Sequence, residues 1–129
     1  MPKEHINPDT LFPSVPHGFS QVIATDGGKT IYISGQTAWD AEKRLVGGSS
    51  LEAQAKQAFQ NVRYAVEAAG GSLAYVVALR LYVVNYKPAD ASLLGGVLRE
   101  FFPGVHPPTS TWIGVDSLAV AAFLIEIRD

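Results

Sequence analysis

One long amphipathic helix is the feature that most constrains how this chain can fold. Between residues 51 and 69, apolar side chains recur at steps of three and four positions, which is typical of one helix face. The residues of this face are Leu51, Ala55, Ala58, Phe59, Val62, Ala65, Val66 and Ala69. Ser49 and Glu52 have the spacing of a capping box, and Gly70 with Gly71 offers a left-handed stop. Because much of the face is alanine, we expect the helix to pack closely on a sheet.

Before this helix, the sequence favours turns and short strands. Residues 7–18 are rich in Pro, Asp, Asn and Gly, which predicts an irregular arm laid over the domain. Two β-prone runs follow, at residues 20–24 and 30–34, and Asp26-Gly27-Gly28 separates them. This spacing predicts an antiparallel hairpin.

After the helix, residues 75–84 form a β-rich run in which both alternating faces are largely apolar. We expect the face with Leu79, Leu81 and Val83 to meet helices. The opposite face, which carries Arg80 and Tyr82, would suit a subunit interface.

The remaining sequence predicts one more helix and two more strands. Pro88 permits a helix start, and apolar residues keep helical spacing up to Pro103, although Gly95-Gly96 weakens the middle. Residues 109–115 and 121–128 are predicted strands. The order ββαβαββ predicts an α+β sandwich, and residues 1–129 are expected to form one domain.

Composition excludes several classes of function. Ten basic against twelve acidic residues provide no positive field for nucleic acid, so no such partner is expected. Cysteine is absent, and the three histidines lack metal-ligand spacing. No phosphate loop, dinucleotide fingerprint or nucleophile elbow occurs, so we expect no metal and no cofactor.

Hydropathy bears on location and assembly. No apolar run reaches the roughly 20 residues of a membrane span, and residues 1–5 lack an apolar signal core. A cytoplasmic protein without a membrane partner is therefore expected. Hydrophobic residues make up 47% of the chain and charged residues only 17%, which favours burial of surface in an oligomer.

Several motifs, in order along the chain, resemble one known family. Residues 107–111, Gly114-Val115, Leu118 and residues 125–127 resemble the C-terminal signature of the Rid/YjgF family, which is also labelled endoribonuclease L-PSP and includes enamine/imine deaminases. The sequence also resembles this family at Gly18-Phe19-Ser20-Gln21, Ile33-Ser34-Gly35-Gln36, residues 54–70 and Phe101-Phe102-Pro103-Gly104. The resemblance implies a chorismate-mutase-like fold, with two helices on one face of a mixed sheet. It also implies a homotrimer that binds a small-molecule ligand in clefts between neighbouring subunits.

The resemblance suggests which residues could form a site. Glu126 matches the family glutamate thought to handle the catalytic water, and Ser34, the Gly35 amide and Phe19 would lie near it by analogy. Each residue also has a plainer interpretation. Glu126 could be a solvated carboxylate at a strand end, Ser34-Gly35 ordinary turn chemistry, and Phe19 a packing residue. Trp39 and Trp112 could line a cleft, although an aromatic residue in a small domain is usually core.

The chain departs from the deaminase pattern at two important positions. The tyrosine of the opening motif is Phe19 here, which keeps an aromatic wall but loses a hydroxyl group that could hydrogen-bond a substrate or water. The arginine that grips the substrate carboxylate in deaminases is replaced by Ser110, or by Thr109 if the register slips by one. Loss of a charged partner for a buried carboxylate costs on the order of 2 to 5 kcal/mol. Efficient deamination of anionic imino acids is therefore not expected, although Ser110 could hydrogen-bond a neutral ligand.

A cation from elsewhere could compensate for this loss. Arg128 lies two residues beyond Glu126 on the same predicted strand, so both side chains should point to one face. Arg128 or Arg80 could replace the missing arginine. The alternative is a surface pair between Glu126 and Arg128 that contributes little stability.

Two functions remain open at this point. One is hydrolysis of a small imine or enamine, with Glu126 positioning water. The other is a trimeric small-molecule-binding or regulatory protein that does not catalyse. Endoribonuclease activity is a third label of the family, but the acidic balance of the chain argues against it.

Overall fold

The computed structural model describes residues 3–129 and confirms the α+β class and the order ββαβαββ. Two short 3-10 turns, Val15–His17 and Leu73–Tyr75, accompany the regular elements. In chain order these elements are β1 (Lys3–Ile6), β2 (Val22–Thr25), α1 (Leu51–Ala68), β3 (Ala78–Val84), α2 (Asp90–Phe101), β4 (Thr109–Val115) and β5 (Ile125–Arg128).

The main sheet is mixed and has β3 at its centre. β3 pairs with β4 in parallel and with β5 in antiparallel orientation, so the strand order is β4-β3-β5. Directly paired residues point to the same side of a sheet. β4 and β5 therefore form opposite edges, and the register fixes which of their side chains share a face.

One face of this sheet carries the core. Leu79, Leu81 and Val83 are buried under the helices, as the alternation in β3 predicts. Phe59 of α1 stacks on Phe101 of α2 with ring centroids 5.4 Å apart, which joins the two helices over the sheet. The opposite face of β3 is open, with Arg80 exposed. None of the helices in the described part of the chain is long and apolar enough to cross a membrane.

The predicted hairpin between residues 20–24 and 30–34 is wrong. β2 instead pairs with β1, a strand at Lys3–Ile6 that the sequence did not predict. Residues 30–34 form no regular strand. Just beyond them, Gln36 exchanges both backbone hydrogen bonds with Ile127, at 2.7 and 2.8 Å. The edge of β5 offers unpaired backbone groups, and this long-range partner competes successfully with the local hairpin.

The ends of α1 are set by a serine and a glycine. The N-cap is Ser50 rather than the predicted Ser49, since Ser50 has extended backbone angles and its Oγ accepts from the Ala53 N–H at 3.1 Å. At the other end Gly70 is left-handed, with φ of 89°, and Gly71 N–H donates to Val66 O at 3.0 Å. The predicted glycine stop is confirmed.

Other boundaries differ from the predictions by a few residues. β3 begins at Ala78 because a 3-10 turn occupies residues 73–75. β5 begins at Ile125 rather than at residue 121, because a turn closes there with a 3.0 Å bond from Phe123 N–H to Val120 O. α2 runs through Gly95-Gly96, and β4 has the predicted bounds.

A buried glutamine connects α1 to the entry of β5. Gln54 is 0% exposed, and its Nε2 donates to Gly48 O at 2.7 Å and Ala122 O at 2.9 Å. Its Oε1 accepts from the Leu124 N–H at 2.8 Å. One side chain thus satisfies three backbone groups of two loops and fixes where β5 starts.

We predict that Gln54→Leu lowers the free energy of unfolding by about 2 to 4 kcal/mol, because three partly buried backbone groups lose their partner. Gln60→Leu is the matched control on the same helix, since Gln60 is only half-buried and accepts a single hydrogen bond, from Arg63. Urea unfolding of both variants measures the difference. Equal losses in the two variants would contradict the structural role of Gln54.

Asp129 occupies an unfavourable place for a charged carboxylate. Its Oδ1 is buried and has no hydrogen-bond partner within residues 3–129. Burial raises the pKa of this carboxyl group from 3.8 to about 6. The folded state therefore holds the proton more tightly than the unfolded state does.

The raised pKa of Asp129 predicts a pH dependence with a definite sign. Its stabilising effect is complete below its unfolded pKa of 3.8 and fades as the pH rises to about 6, where the folded carboxyl group ionises. Asp129→Asn should remove this loss. Urea unfolding from pH 4 to pH 7 should show the wild type losing stability relative to the variant. Parallel curves would contradict the prediction.

Candidate functional site

Some of the residues singled out from the sequence line two separate surface clefts, Glu126 and Gly35 in one and Phe19 and Ser110 in the other. The arm cleft lies between the N-terminal arm, α2 and β4, and has a volume of about 500 Å³. The edge cleft lies beside α1 and β5 and has a volume of about 810 Å³. The arm cleft is lined by Phe12, His17, Phe19, Ala91, Ser92, Gly95, Arg99, Ser110 and Trp112, and the edge cleft by residues 35–37 and 39–42, Gln57, Asn61, Tyr64, Phe123 and Glu126.

In the edge cleft, the Glu126 carboxylate lies directly against Gly35. A Cβ added at Gly35 would come within 2.7 Å of Cδ and 2.9 Å of Cγ of Glu126, closer than real atoms approach. Glycine is therefore what leaves room for this carboxylate. The backbone pair between Gln36 and Ile127 holds the two segments at this distance. The predicted proximity of Glu126 and Gly35 is thus present within one subunit.

Glu126 is half-exposed and has no cation beside it within residues 3–129. In that part of the chain it makes no ion pair with Arg128, so the structure does not contain the alternative surface pair. Ser34 is exposed next to Gly35, and its carbonyl accepts from Gln36 Nε2 at 3.1 Å. Ser34 does not line the edge cleft itself.

Amide side chains of α1 hold the outer wall of the edge cleft. Asn61 Nδ2 donates to the carbonyls of Thr37 and Trp39, both at 2.8 Å, and Gln57 Nε2 donates to Asn61 Oδ1 at 3.0 Å. Trp39 packs edge-on against Phe123 with centroids 4.9 Å apart, and the same ring lines the cleft. The sequence analysis did not identify Asn61 and Gln57. Their spacing of four residues, about one helical turn, could have indicated that their side chains interact.

The charged turn after Trp39 is solvent-exposed. Asp40 accepts from the backbone N–H groups of Glu42 and Arg44 at 2.9 Å and pairs with Arg44 Nε at 3.0 Å. These bonds, chiefly the one from the Arg44 backbone, hold the pKa of Asp40 below its ordinary value. Asp40 and Glu42 of this turn are therefore both paired with Arg44. Glu126 is the carboxylate of the edge cleft that lies against Gly35 instead.

In the arm cleft, a hydroxyl group is oriented by an indole. Ser110 Oγ accepts from Trp112 Nε1 at 2.7 Å, which leaves the hydroxyl hydrogen of Ser110 available to a ligand. Phe12 lies edge-on to both Phe19 and His17, with centroids 5.9 and 6.0 Å apart. Phe19 therefore lines the arm cleft beside Ser110, and within one subunit it does not lie in the edge cleft with Glu126, near which the resemblance places it.

Arg99 is the functional candidate that sequence reasoning missed. It lines the arm cleft, and its Nη1 donates to Pro16 O at 3.3 Å. A Cβ added at Gly95 would lie 3.4 Å from Nη1, and one at Gly96 would lie 3.9 Å from Nη2. The guanidinium thus lies along the glycine pair of α2. Two glycines one helical turn before an arginine were the sequence pattern that could have identified Arg99. The sequence analysis interpreted these glycines only as residues that destabilise the helix.

The two clefts do not meet within one subunit. Ser110 is opposite Leu79 in the register and so lies on the helix-covered face, while Glu126 is opposite Tyr82 on the open face. β4 and β5 are also opposite edges of the sheet. The sequence analysis placed Ser110 and Glu126 in one site. Within one subunit, however, the two residues lie on opposite faces of the sheet and on strands at its opposite edges.

The other proposed replacements for the family arginine are also placed away from Ser110. Arg80 and Arg128 are direct partners on the open face, and both are exposed. Neither lines the arm cleft. Thr109 uses its hydroxyl locally, since Oγ1 donates to Val77 O at 2.9 Å. Within residues 3–129 no group of three or more His, Cys, Asp or Glu residues could hold a metal ion.

Comparisons with known proteins agree with this fold. The model of the family described as endoribonuclease L-PSP matches residues 12–128. A 2-iminobutanoate/2-iminopropanoate deaminase of Dermatophagoides farinae is 31% identical over 100 residues, which cover 78% of this chain and 74% of that protein.

Solved structures place the chain in the same group. The protein of unknown function YyfB from Yersinia pestis, of the conserved Rid protein family, is similar with a TM-score of 0.95 and 42% identity, covering 99% of this chain and 96% of that one. RidA from an Antarctic Psychrobacter has a TM-score of 0.69 and 32% identity, covering 85% and 84%. This chain therefore belongs to the Rid/YjgF family, also described as the endoribonuclease L-PSP family.

Proposed function

We propose that this protein hydrolyses a small imine or enamine in sites completed between the subunits of a homotrimer, with Glu126 positioning the attacking water. The observation that carries the proposal is the placement of the Glu126 carboxylate against Gly35, in an open cleft and without a cation beside it in the described part of the chain. The similarity to a deaminase of imino acids supports the same reaction class.

Imine hydrolysis needs a base near the water and donors near the substrate. Glu126 accepts a proton as the water oxygen bonds to the carbon of C=N, and it returns this proton to the nitrogen, which gives a carbinolamine. A second proton then moves from the new hydroxyl group to the nitrogen, the C–N bond breaks, and a carbonyl compound and ammonia leave. The Gly35 N–H, which lies beside this carboxylate in space, and the hydroxyl group of the neighbouring Ser34 are the proposed donors. They orient the substrate nitrogen or the developing hydroxyl group. No metal or cofactor has a role in this scheme.

The open sheet face and the free edge of β4 support the trimer. Tyr82, Val84, Ile113 and Val115 give that face an apolar character that is only partly buried in one subunit. Edge strands and apolar patches of this kind are commonly covered by a partner. A neighbouring subunit that brings its β5 edge to the arm cleft would unite Ser110 and Phe19 with a Glu126 from the other chain.

Ser110 contributes a neutral hydroxyl group to this composite site. It hydrogen-bonds an uncharged group of the substrate with the hydrogen that Trp112 leaves available. Arg128 or Arg80 of a neighbouring subunit remains a predicted source of positive charge, since both side chains lie on the face that the trimer would cover.

A binding protein without catalysis is the second candidate, and one observation favours it. Ser110 stands in the arginine position of deaminases, inside a cleft with aromatic walls that could hold a ligand without turnover. RNA cleavage has no comparable support, since 12 acidic residues outnumber 10 basic ones.

Two substitutions in the edge cleft test the proposal. Glu126→Gln should lower the rate of imine hydrolysis by roughly 100-fold or more, since it removes the base. Gly35→Ala should cause a similar loss, because the new methyl group displaces the carboxylate. Both variants should keep the trimer and most of their stability, since only the flexible end of Glu126 must move. A coupled assay with 2-aminoacrylate-derived and bulkier imines measures the rates, and light scattering measures the assembly.

Glu42→Gln is the matched control, because Glu42 also lines the edge cleft but lies on the solvated turn. It should retain wild-type turnover. A wild type without turnover on any imine would favour the binding protein, and full activity of Glu126→Gln would remove this residue from the mechanism.

A further inference from the structure

We propose that a third cleft, at the carboxyl end of β5, binds a small branched aliphatic amine, and that the Asp129 carboxylate holds the ammonium group of this ligand. This strand-end cleft has a volume of about 230 Å³ and shares no lining residue with the arm cleft or the edge cleft. The inference goes beyond the proposed hydrolysis, because Glu126 and Ser110 have no part in it.

The strand-end cleft lies on the helix-covered side of the sheet. Ile127 belongs to the buried core, and Asp129 follows it by two residues, so the two side chains point to the same side. Val66 of α1 and Asp129 both line the cleft. The cleft is thus separate from the open face, which the proposed trimer covers.

Asp129 brings an unpaired negative charge to this cleft. Its Oδ1 is buried and bonds to no group within residues 3–129. In the same range no cation pairs with the carboxylate, and Arg128 and Arg80 lie on the open face. Burial raises the pKa of this carboxyl group to about 6, so most of it is ionised at pH 7.5. A desolvated carboxylate without a partner is unfavourable, and a cation that enters the cleft offsets this cost.

Lys29 is the one cation among the described residues that line the strand-end cleft, and it leaves Asp129 unpaired. The Lys29 side chain is exposed, and an exposed ammonium group keeps its strongly bound water. The place beside the Asp129 carboxylate is therefore open to a cation from outside. A primary ammonium group suits this place, because it supplies the opposite charge and three N–H donors.

Branched aliphatic side chains form the walls of the cleft and select the body of the ligand. They are Ile31 and Ile33, which precede the edge cleft in sequence, and Val66, Val76 and Val77, which belong to α1 and the entry of β3. Val66 and Val76 are buried core residues, so this part of the wall is in place without a ligand. At about 30 Å³ for a group of the size of water, the cleft admits roughly six to eight non-hydrogen atoms. Charge and shape together describe a short branched amine.

The experiment uses 3-methylbutylamine as the probe and 3-methylbutan-1-ol, which has the same carbon skeleton, as its neutral control. A titration of the isotope-labelled protein, followed by amide chemical shifts at pH 7.5, measures the Kd and locates the ligand. The amine should bind saturably, with shift changes concentrated at residues 29–33 and 75–78. The alcohol should bind at least about tenfold more weakly.

Two variants separate the charge of Asp129 from the shape of the cleft. Asp129→Asn should raise the Kd for the amine about tenfold or more and leave the Kd for the alcohol unchanged. Asp26→Asn is the matched control, because Asp26 lies between two lining residues, Thr25 and Gly27, but does not line the cleft itself. It should keep the wild-type Kd for both probes.

The pH dependence gives an independent readout. The Kd for the amine should rise about tenfold from pH 7.5 to pH 5, because the Asp129 carboxyl group takes up a proton below about pH 6. Asp129→Asn should show no such rise. Lys29 and Tyr75 are the other ionisable side chains that the described residues contribute to the cleft, and no histidine is among them.

Several outcomes would overturn the proposal. They are an unsaturable titration, equal binding of the amine and the alcohol, and an unchanged Kd for the amine in Asp129→Asn. If Asp129 only shaped the cleft, its variant would weaken the alcohol as much as the amine. Shift changes centred on the edge cleft would assign the amine to Glu126 instead. Glu126→Gln should bind the amine with the wild-type Kd, so failure of the hydrolase proposal would leave this result unaffected.

Discussion

The pairing of β3 with a parallel strand on one side and an antiparallel strand on the other determines the rest of the structure. It places β4 and β5 on opposite edges, and its register sends Ser110 toward the helices and Glu126 toward the open face. The result is two clefts, and each holds some of the residues that the family resemblance assigns to a single site. The proposed site, in which Ser110 and Glu126 act together, requires a second subunit, because folding of one chain does not bring these two residues together.

In both clefts the charged end of a side chain lies beside a glycine. Gly35 leaves room for the Glu126 carboxylate, whereas a Cβ at Gly95 or Gly96 would only be in ordinary van der Waals contact with the Arg99 guanidinium. Neither charge is neutralised by an ion pair within residues 3–129. Some charges elsewhere in that range are paired, as in the turn from Asp40 to Arg44 and between Lys56 and Glu52.

Local patterns in the sequence predicted local structure well. The apolar face of α1, its Gly70 stop, the alternation of β3 and the bounds of β4 each depend on neighbours a few residues away, and the structure has them. The predicted hairpin is wrong because strand pairing is decided at long range. Residues 22–25 pair with β1, and Gln36 pairs with Ile127 of β5. Arg99 was missed for a related reason. Its importance comes from Pro16 and Ser110, which are distant in sequence, while the adjacent glycines suggested only a weak helix.

Complementation between two inactive variants tests the composite site most directly. Ser110→Phe, which fills the arm cleft, and Glu126→Gln should each give folded but inactive homotrimers. Unfolded and refolded together in equal amounts, they should recover about a quarter of wild-type imine hydrolysis, since that share of the subunit contacts would join an intact Ser110 to an intact Glu126. Mixed trimers without recovered activity would contradict a site shared between subunits.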